Sequence, residues 1–184
     1  RCGVDYIQLR EKDLSPHELE ALARYAVRRL RTGNPGLKTA ILINSRTDVA
    51  LACGADGVHL RSDDISPMEV RGIYGQCAAG AARVTVGISC HTRAEVARAA
   101  REGADFAVFG PVFEKVRMEK AHARPAGLAA LREACQEKIP VLALGGITIK
   151  NAESCIQAGA AGIAGIRLFQ ENEMRSVVAA LRRL

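Results

Sequence analysis

The 184-residue chain has no tryptophan, and aromatic residues make up only 4% of it. Stacking platforms for exposed bases are therefore scarce, and nucleic-acid binding is not expected despite a net charge of +6. Much of that charge lies at helical spacing, as in Arg24, Arg28, Arg29 and Arg31, which suits solvated faces. A small anionic ligand remains compatible with it. No uninterrupted apolar run approaches the roughly 20 residues that a membrane helix needs, so no membrane partner is expected. Arg1-Cys2-Gly3-Val4-Asp5 lacks the organisation of a signal peptide, and a cytoplasmic location is expected. Proline is sparse, with six residues, and no linker or low-complexity tract divides the chain. A single domain over residues 1–184 is the expectation.

Cysteine is present but unpaired in pattern. Cys2, Cys53, Cys77, Cys90, Cys135 and Cys155 include no C-x-x-C spacing, so zinc and thioredoxin-type chemistry are unsupported. They read as reduced, small hydrophobes. Also missing are a Gly-x-Ser-x-Gly elbow, a Walker loop and a dinucleotide fingerprint, which argues against covalent nucleophilic catalysis.

What the chain does have is alternation. Short β-branched runs at Val4–Leu9, Ala40–Asn44, Gly57–Leu60, Val84–Ile88, Asp105–Phe109, Val141–Leu144 and Gly162–Ile166 alternate with apolar residues at helical spacing. Leu19, Leu22, Ala23, Ala26 and Leu30 form one such stripe, and Val96, Ala97 and Ala100 part of another. A repeat overlies the pattern: Gly3-Val4-Asp5, Gly54-Ala55-Asp56, Gly103-Ala104-Asp105 and Gly159-Ala160-Ala161 each close a helix and open a strand. The glycines are 51, 49 and 56 residues apart, so each period holds two β/α units. That regularity predicts a (β/α)8 TIM barrel rather than an open doubly wound sheet. Only seven strands are legible. One β/α unit, roughly 20–30 residues, is expected to precede Arg1.

In such a barrel, chemistry collects at the carboxyl ends of the strands. Gln8, Arg10 and Lys12 alternate onto one side there, three donors suited to a phosphate or diphosphate, with salt bridges to Glu11 or Asp13 as the plainer alternative. Gly145-Gly146-Ile147-Thr148 follows a strand and precedes a helix, a place where backbone can approach a phosphate. Ile166-Arg167 would flank it after the last strand. Asp63 and Asp64 could offer oxygen ligands to Mg²⁺, or Asp64 could cap the helix before Ile65-Ser66-Pro67. His59, His91 and His122 are the remaining acid–base candidates.

Taken together, Val4-Asp5-Tyr6-Ile7-Gln8-Leu9-Arg10-Glu11-Lys12, Gly54 through Leu60, Gly110-Pro111-Val112-Phe113 and Ile139 through Ile147 resemble the thiamine phosphate synthase family, which includes the thiazole tautomerases. The resemblance runs along essentially the whole chain. It implies a transferase that joins a pyrimidine methyl diphosphate to a thiazole phosphate with Mg²⁺, releasing pyrophosphate. Small phosphorylated pyrimidine and thiazole substrates are then the partners, and self-association is open. By position, Gln8, Arg10, Lys12, Asn44 and Ser89 would hold the pyrimidine diphosphate, with Arg10, Lys12 and Ser89 acting on its departure. Asp64, with Asp63 as the alternative, falls on a metal-ligand position. Gly146, Ile166 and Arg167 fall on the thiazole phosphate side.

The chain departs from the family pattern at several places. Ser45 stands where an Asp usually follows the Asn, Arg61-Ser62 where Gly-Gln is usual, and Arg167 where Ser is usual. Glu114-Lys115-Val116-Arg117-Met118 replaces a Pro-Thr-x-Thr-Lys run, and Lys115, Arg117 or Lys120 would have to restore its charge. Pro111 occupies the position of the tautomerases' His. A tautomerase-like activity and a non-catalytic phosphometabolite binder are the alternatives. The charged stretch Glu114 to Pro125 suits a lid.

Overall fold

The computed structural model describes residues 3–33, 36, 38–77, 83–114 and 124–184. Its strands and helices alternate, and its seven strands follow one another in a single sheet in the order β1-β2-β3-β4-β5-β6-β7. The chain divides into two compact units, Gly3–Gly87 and Ile88–Leu184.

The first unit holds β1 (Tyr6–Leu9), α1 (Pro16–Gly33), β2 (Ala40–Asn44), α2 (Thr47–Cys53), β3 (Gly57–Leu60), α3 (Pro67–Cys77) and the start of β4 (Thr85–Cys90). Its register follows from the repeated Gly-Ala-Asp. Gly54 ends α2 in the left-handed conformation (φ 65°), which glycine adopts at low cost. Two residues later the Asp56 carboxylate accepts the Ile41 amide (2.8 Å) while the Asp56 amide donates to the Ile41 carbonyl (3.0 Å). That clasp sets Leu42 beside Gly57 and Asn44 beside His59. β1 pairs in parallel with β2, from Tyr6 beside Ala40 to Leu9 beside Ile43.

Parallel strands covered on both faces are apolar along their length, and here Ile41, Leu42, Ile43, Val58 and Leu60 are all buried. Each such side chain contributes about 1.5–3 kcal/mol. β1 differs: Tyr6 and Ile7 are exposed, since only β2 flanks this strand in the sheet order. In α1 the buried face is Leu19, Ala23 and Val27. The expected stripe is therefore narrower than read from sequence and includes Val27.

The second unit continues β4 and adds α4 (Arg93–Arg101), β5 (Phe106–Phe109), α5 (Gly127–Ala134), β6 (Val141–Ala143), α6 (Ile149–Gln157), β7 (Gly162–Ile163), α7 (Arg167–Gln170) and α8 (Met174–Leu181). β5, β6 and β7 pair in parallel, with Phe109 beside Ala143 and Ala143 beside Ile163. Every residue of β5 is buried. β7 is shorter than its apolar run suggests, because Ile166 caps α7 instead of extending the strand.

One local device recurs at helix starts. Ser15 with Glu18, Ser66 with Glu69, Thr92 with Glu95 and Thr148 with Asn151 each form a reciprocal capping box. No helix is long and apolar enough to cross a membrane among the described residues. Cys53, Cys77, Cys90, Cys135 and Cys155 are free thiols, and burial pushes Cys90 up to about 12.

Ser66→Ala removes the hydroxyl that accepts the Glu69 amide and donates to the Glu69 carboxylate. A loss of about 1 kcal/mol is expected, read as a lowered denaturant midpoint with an unchanged slope.

Candidate functional site

The register of β1 to β3 lines up their carboxyl ends, and there the polar side chains bond to one another. Gln8 Nε2 donates to Asn44 Oδ1 at 2.7 Å, and Asn44 Nδ2 donates to Ser45 Oγ at 3.0 Å. The Ser45 hydroxyl in turn hydrogen-bonds the Asp64 carboxylate. Asp64 Oδ2 accepts the Arg61 amide at 2.7 Å, and Arg61 Nε lies 3.4 Å from Asp64 Oδ1. The same guanidinium reaches Asp63 Oδ2 at 3.1 Å. Burial would raise the Asp64 carboxyl, but the hydrogen bonds from Ser45 and Arg61 outweigh it and hold the group below its ordinary value.

These bonds remove one of the two sequence readings of Asp64, the helix cap. The helix cap is Ser66, with Pro67 opening α3, so Asp64 is not spent on the helix start. The Ser66-x-x-Glu69 spacing was the available signal for that. Arg61 is the residue that sequence reasoning underused: its guanidinium spans both carboxylates.

Ser45 adopts φ 60°, a left-handed conformation uncommon for serine, while its amide donates to the His59 carbonyl at 2.9 Å. Asp and Asn tolerate that conformation better than serine does. His59 itself is only 6% exposed. Burial, reinforced by the Arg10 charge and opposed by Asp64, lowers it to about 4. It is therefore a neutral hydrogen-bonding group at pH 7. Arg10 and Lys12 are exposed, and among the described residues neither pairs with Glu11 or Asp13. The salt-bridge alternative for these two cations is thus unsupported, and Arg10 lies near enough to act on His59.

In the second unit Ser89 is half-buried on β4, directly before buried Cys90. His91 Nδ1 is hydrogen-bonded to the carbonyl of Gly110, which precedes a cis bond to Pro111. The loop after β5 lies tight against the diglycine bend: Val112 donates to Leu144 O (2.8 Å) and Phe113 to Gly145 O (3.0 Å). A Cβ on Gly146 would come within 2.6 Å of the Glu114 carbonyl and 2.7 Å of that of Phe113. The glycine is thus required first by a backbone neighbour. α6 opens with its Thr148–Asn151 box already satisfied, and Asn151 also holds the Gly146 carbonyl at 3.1 Å. Because β6 and β7 are paired, the bend and Ile166-Arg167 leave adjacent strands. Ile166 is 57% exposed, and Arg167 is exposed as well. Lys115, Val116, Arg117, Met118, Lys120 and His122, and with them most of the expected lid, lie outside the described residues.

Among the described residues no three His, Cys, Asp or Glu side chains form a metal cage. The donor set fits a cation shared with a ligand: one partly buried carboxylate, Asp64, with Asp63 beside it. Mg²⁺ commonly takes one or two protein carboxylates and completes its shell with water and substrate phosphate.

Seven parallel strands in sequence order, alternating with helices, are the arrangement of the (β/α)-barrel class. The chain belongs to the thiamine monophosphate synthase family, whose model matches residues 1–169. It is 44% identical over 163 residues to a Geobacter sulfurreducens protein provisionally named a thiamine-phosphate synthase, covering 88% of this chain and 71% of that one. A thiamine-phosphate synthase from Methanoculleus marisnigri is 38% identical over 183 residues, covering 98% of this chain and 81% of that one. The solved thiamine phosphate pyrophosphorylase of Pyrococcus furiosus matches with TM-score 0.81 and 30% identity, covering 99% of this chain and 83% of that one. The barrel expected from the repeat is the fold of this family.

Two outcomes are expected. Gly146→Ala adds a clash with backbone at a φ of +64° and should cost about 2–3 kcal/mol, seen as a lowered melting temperature. For His59 the folded value of about 4 lies below the ordinary 6.5, so the unfolded chain takes up the proton first. Its contribution is complete above about pH 6.5 and is lost as pH falls toward 4, at most about 3 kcal/mol. His59→Gln should flatten the dependence of unfolding free energy on pH across that window.

Proposed function

We propose that the chain is a thiamine phosphate synthase of the cytoplasm: it condenses 4-amino-2-methyl-5-(diphosphooxymethyl)pyrimidine with a thiazole phosphate to give thiamine phosphate and pyrophosphate. The observation that carries this reading is the continuous hydrogen-bonded chain Gln8–Asn44–Ser45–Asp64 at three adjacent strand ends, with Arg10 close by. Such a row fixes donors before the ligand arrives, and pre-set donors cost no reorganisation when charge develops.

In the reaction the bond between the pyrimidine methylene carbon and the diphosphate oxygen breaks, and both electrons leave on the diphosphate. The lone pair of the thiazole nitrogen then forms the new carbon–nitrogen bond. No proton needs to be abstracted from either reacting atom, so a His59 too weakly basic to serve as a general base is no obstacle. Catalysis depends on stabilising the leaving group and aligning the nucleophile. Arg10 and Lys12 supply cationic donors to the diphosphate, Arg10 with the planar fork suited to phosphate oxygens. Gln8 and Asn44 fix the pyrimidine side; Ser89, on β4 of the second unit, offers a hydroxyl donor of its own. In the second unit the backbone at Gly146 and Ile166, with the Arg167 guanidinium, takes the thiazole phosphate. Asp64, or Asp63 beside it, would hold Mg²⁺, which when bound adds positive charge to the departing diphosphate.

With both substrates and Mg²⁺ the protein should release thiamine phosphate and pyrophosphate in equal amounts. Arg10→Ala should lower kcat/KM at least about 100-fold while the fold melts at an unchanged temperature. Binding of both substrates with no product would overturn the reading in favour of a phosphometabolite binder. Metal-independent interconversion of thiazole carboxylate phosphate isomers would point instead to a tautomerase.

A further inference from the structure

The bend between β3 and α3 contains an ion triad whose arginine none of the roles above uses. Arg61 follows β3 directly. Its amide donates to Asp64 Oδ2 at 2.7 Å, its Nε faces Asp64 Oδ1 at 3.4 Å, and its Nη2 faces Asp63 Oδ2 at 3.1 Å. The Asp64 amide closes the turn on the Arg61 carbonyl at 3.2 Å. The two carboxylates differ in setting. Asp63 is largely exposed, its side chain at 71%, whereas that of Asp64 is at 15% and also bonds Ser45. The arginine side chain is 56% exposed and contacts both carboxylates.

We propose that Arg61 is a built-in counter-cation of the Asp63–Asp64 pair, occupying the place of a divalent cation until a diphosphate draws its guanidinium away. The proposal rests on the synthase reading for the identity of that diphosphate, but not for the triad itself. The physical reason is competition for the same oxygens. A metal at Asp64 needs a free lone pair on an oxygen that the guanidinium faces, and it would place two positive charges beside a third. A diphosphate reverses the balance. Its oxygens accept the guanidinium bidentately and leave Asp64 open to the metal, so metal and substrate bind in a mutually favourable way. The guanidinium has room to make that move, because its own side chain is 56% exposed and its contact with Asp63 lies at the surface, where an ion pair is worth little.

The test is a titration of the whole protein with Mn²⁺ alone, followed by electron paramagnetic resonance, with no substrate present. Arg61→Gln and Arg61→Gly should bind Mn²⁺ roughly three- to tenfold more tightly than the unaltered chain. Asp64→Asn in either background should abolish the gain. Pyrophosphate should tighten Mn²⁺ binding to the unaltered chain by several fold, and should do so less in the Arg61 variants. Equal or weaker Mn²⁺ binding by both variants overturns the proposal, as does a gain that survives Asp64→Asn. The synthase reading is judged separately, by product formation from the unaltered chain. Tighter Mn²⁺ binding in variants of a chain that makes no thiamine phosphate would uphold Arg61 and discard the reaction.

Discussion

The clasp between Asp56 and Ile41 is the constraint from which the first unit's site follows. A one-residue slip of this parallel pair would exchange its two faces and take Asn44 away from His59. By taking the Ile41 amide on its carboxylate and returning its own amide to the Ile41 carbonyl, Asp56 fixes the β2–β3 register at its first residues. Asn44 then falls beside His59, and the Ser45 amide reaches the His59 carbonyl. Only in that alignment can one chain of hydrogen bonds run from Gln8 on β1 to Asp64 beyond β3. Stability chemistry at one end of the strands thus determines site chemistry at the other.

That clasp explains why so much of the fold was legible. The Gly-Ala-Asp repeat carries both halves of the device, a glycine for the left-handed helix end and a carboxylate for the neighbouring strand. β2 and β3 were accordingly read with their observed ends, and β5 missed by one residue. β1 begins at Tyr6 and not at Val4, β4 runs Thr85–Cys90 and not Val84–Ile88, and β6 ends one residue early; two further differences have a visible cause. β7 stops early because Ile166 turns into α7, and Val27 joins the buried face of α1 because packing, not spacing alone, selects the stripe. The site was legible as a set of residue types at strand ends. Its connectivity was not, since a sequence cannot say which of two neighbouring residues caps a helix until the capping box at Ser66 and Glu69 is recognised. The diglycine bend is a further case. Its phosphate-like sequence is equally the signature of close backbone packing, which the carbonyls of Phe113 and Glu114 impose on Gly146.

The electrostatics of the first unit separate two kinds of group. Asp64 is held in its charged form by the bonds it accepts, which outweigh its burial. His59 is held in its uncharged form by burial and by Arg10. Neither titrates near pH 7, which is the expected state for a site that stabilises a leaving diphosphate and does not shuttle protons. The free cations, Arg10 and Lys12, stay exposed, where screening is strong and a multiply charged anion is the partner able to order them.

Ser45 and Arg61 carry the argument furthest, because they share Asp64. Against the pattern of the resemblance, which has Asp and Gly at these two positions, the chain loses one negative charge and gains one positive charge around the same carboxylate. The difference equals the charge of one divalent cation. A carboxylate at 45 would have suited the left-handed backbone there better than serine does, so the exchange runs against local conformational preference. What the serine hydroxyl supplies instead is a neutral hydrogen bond to Asp64, leaving the guanidinium of Arg61 as the counter-charge on the solvent side. With a third carboxylate present, at 45, Arg61 would be divided among three acceptors and Asp64 held less firmly. The two departures are therefore coherent as a pair, and a double-mutant cycle between Ser45→Asp and Arg61→Gly should give a coupling energy that neither substitution reveals alone.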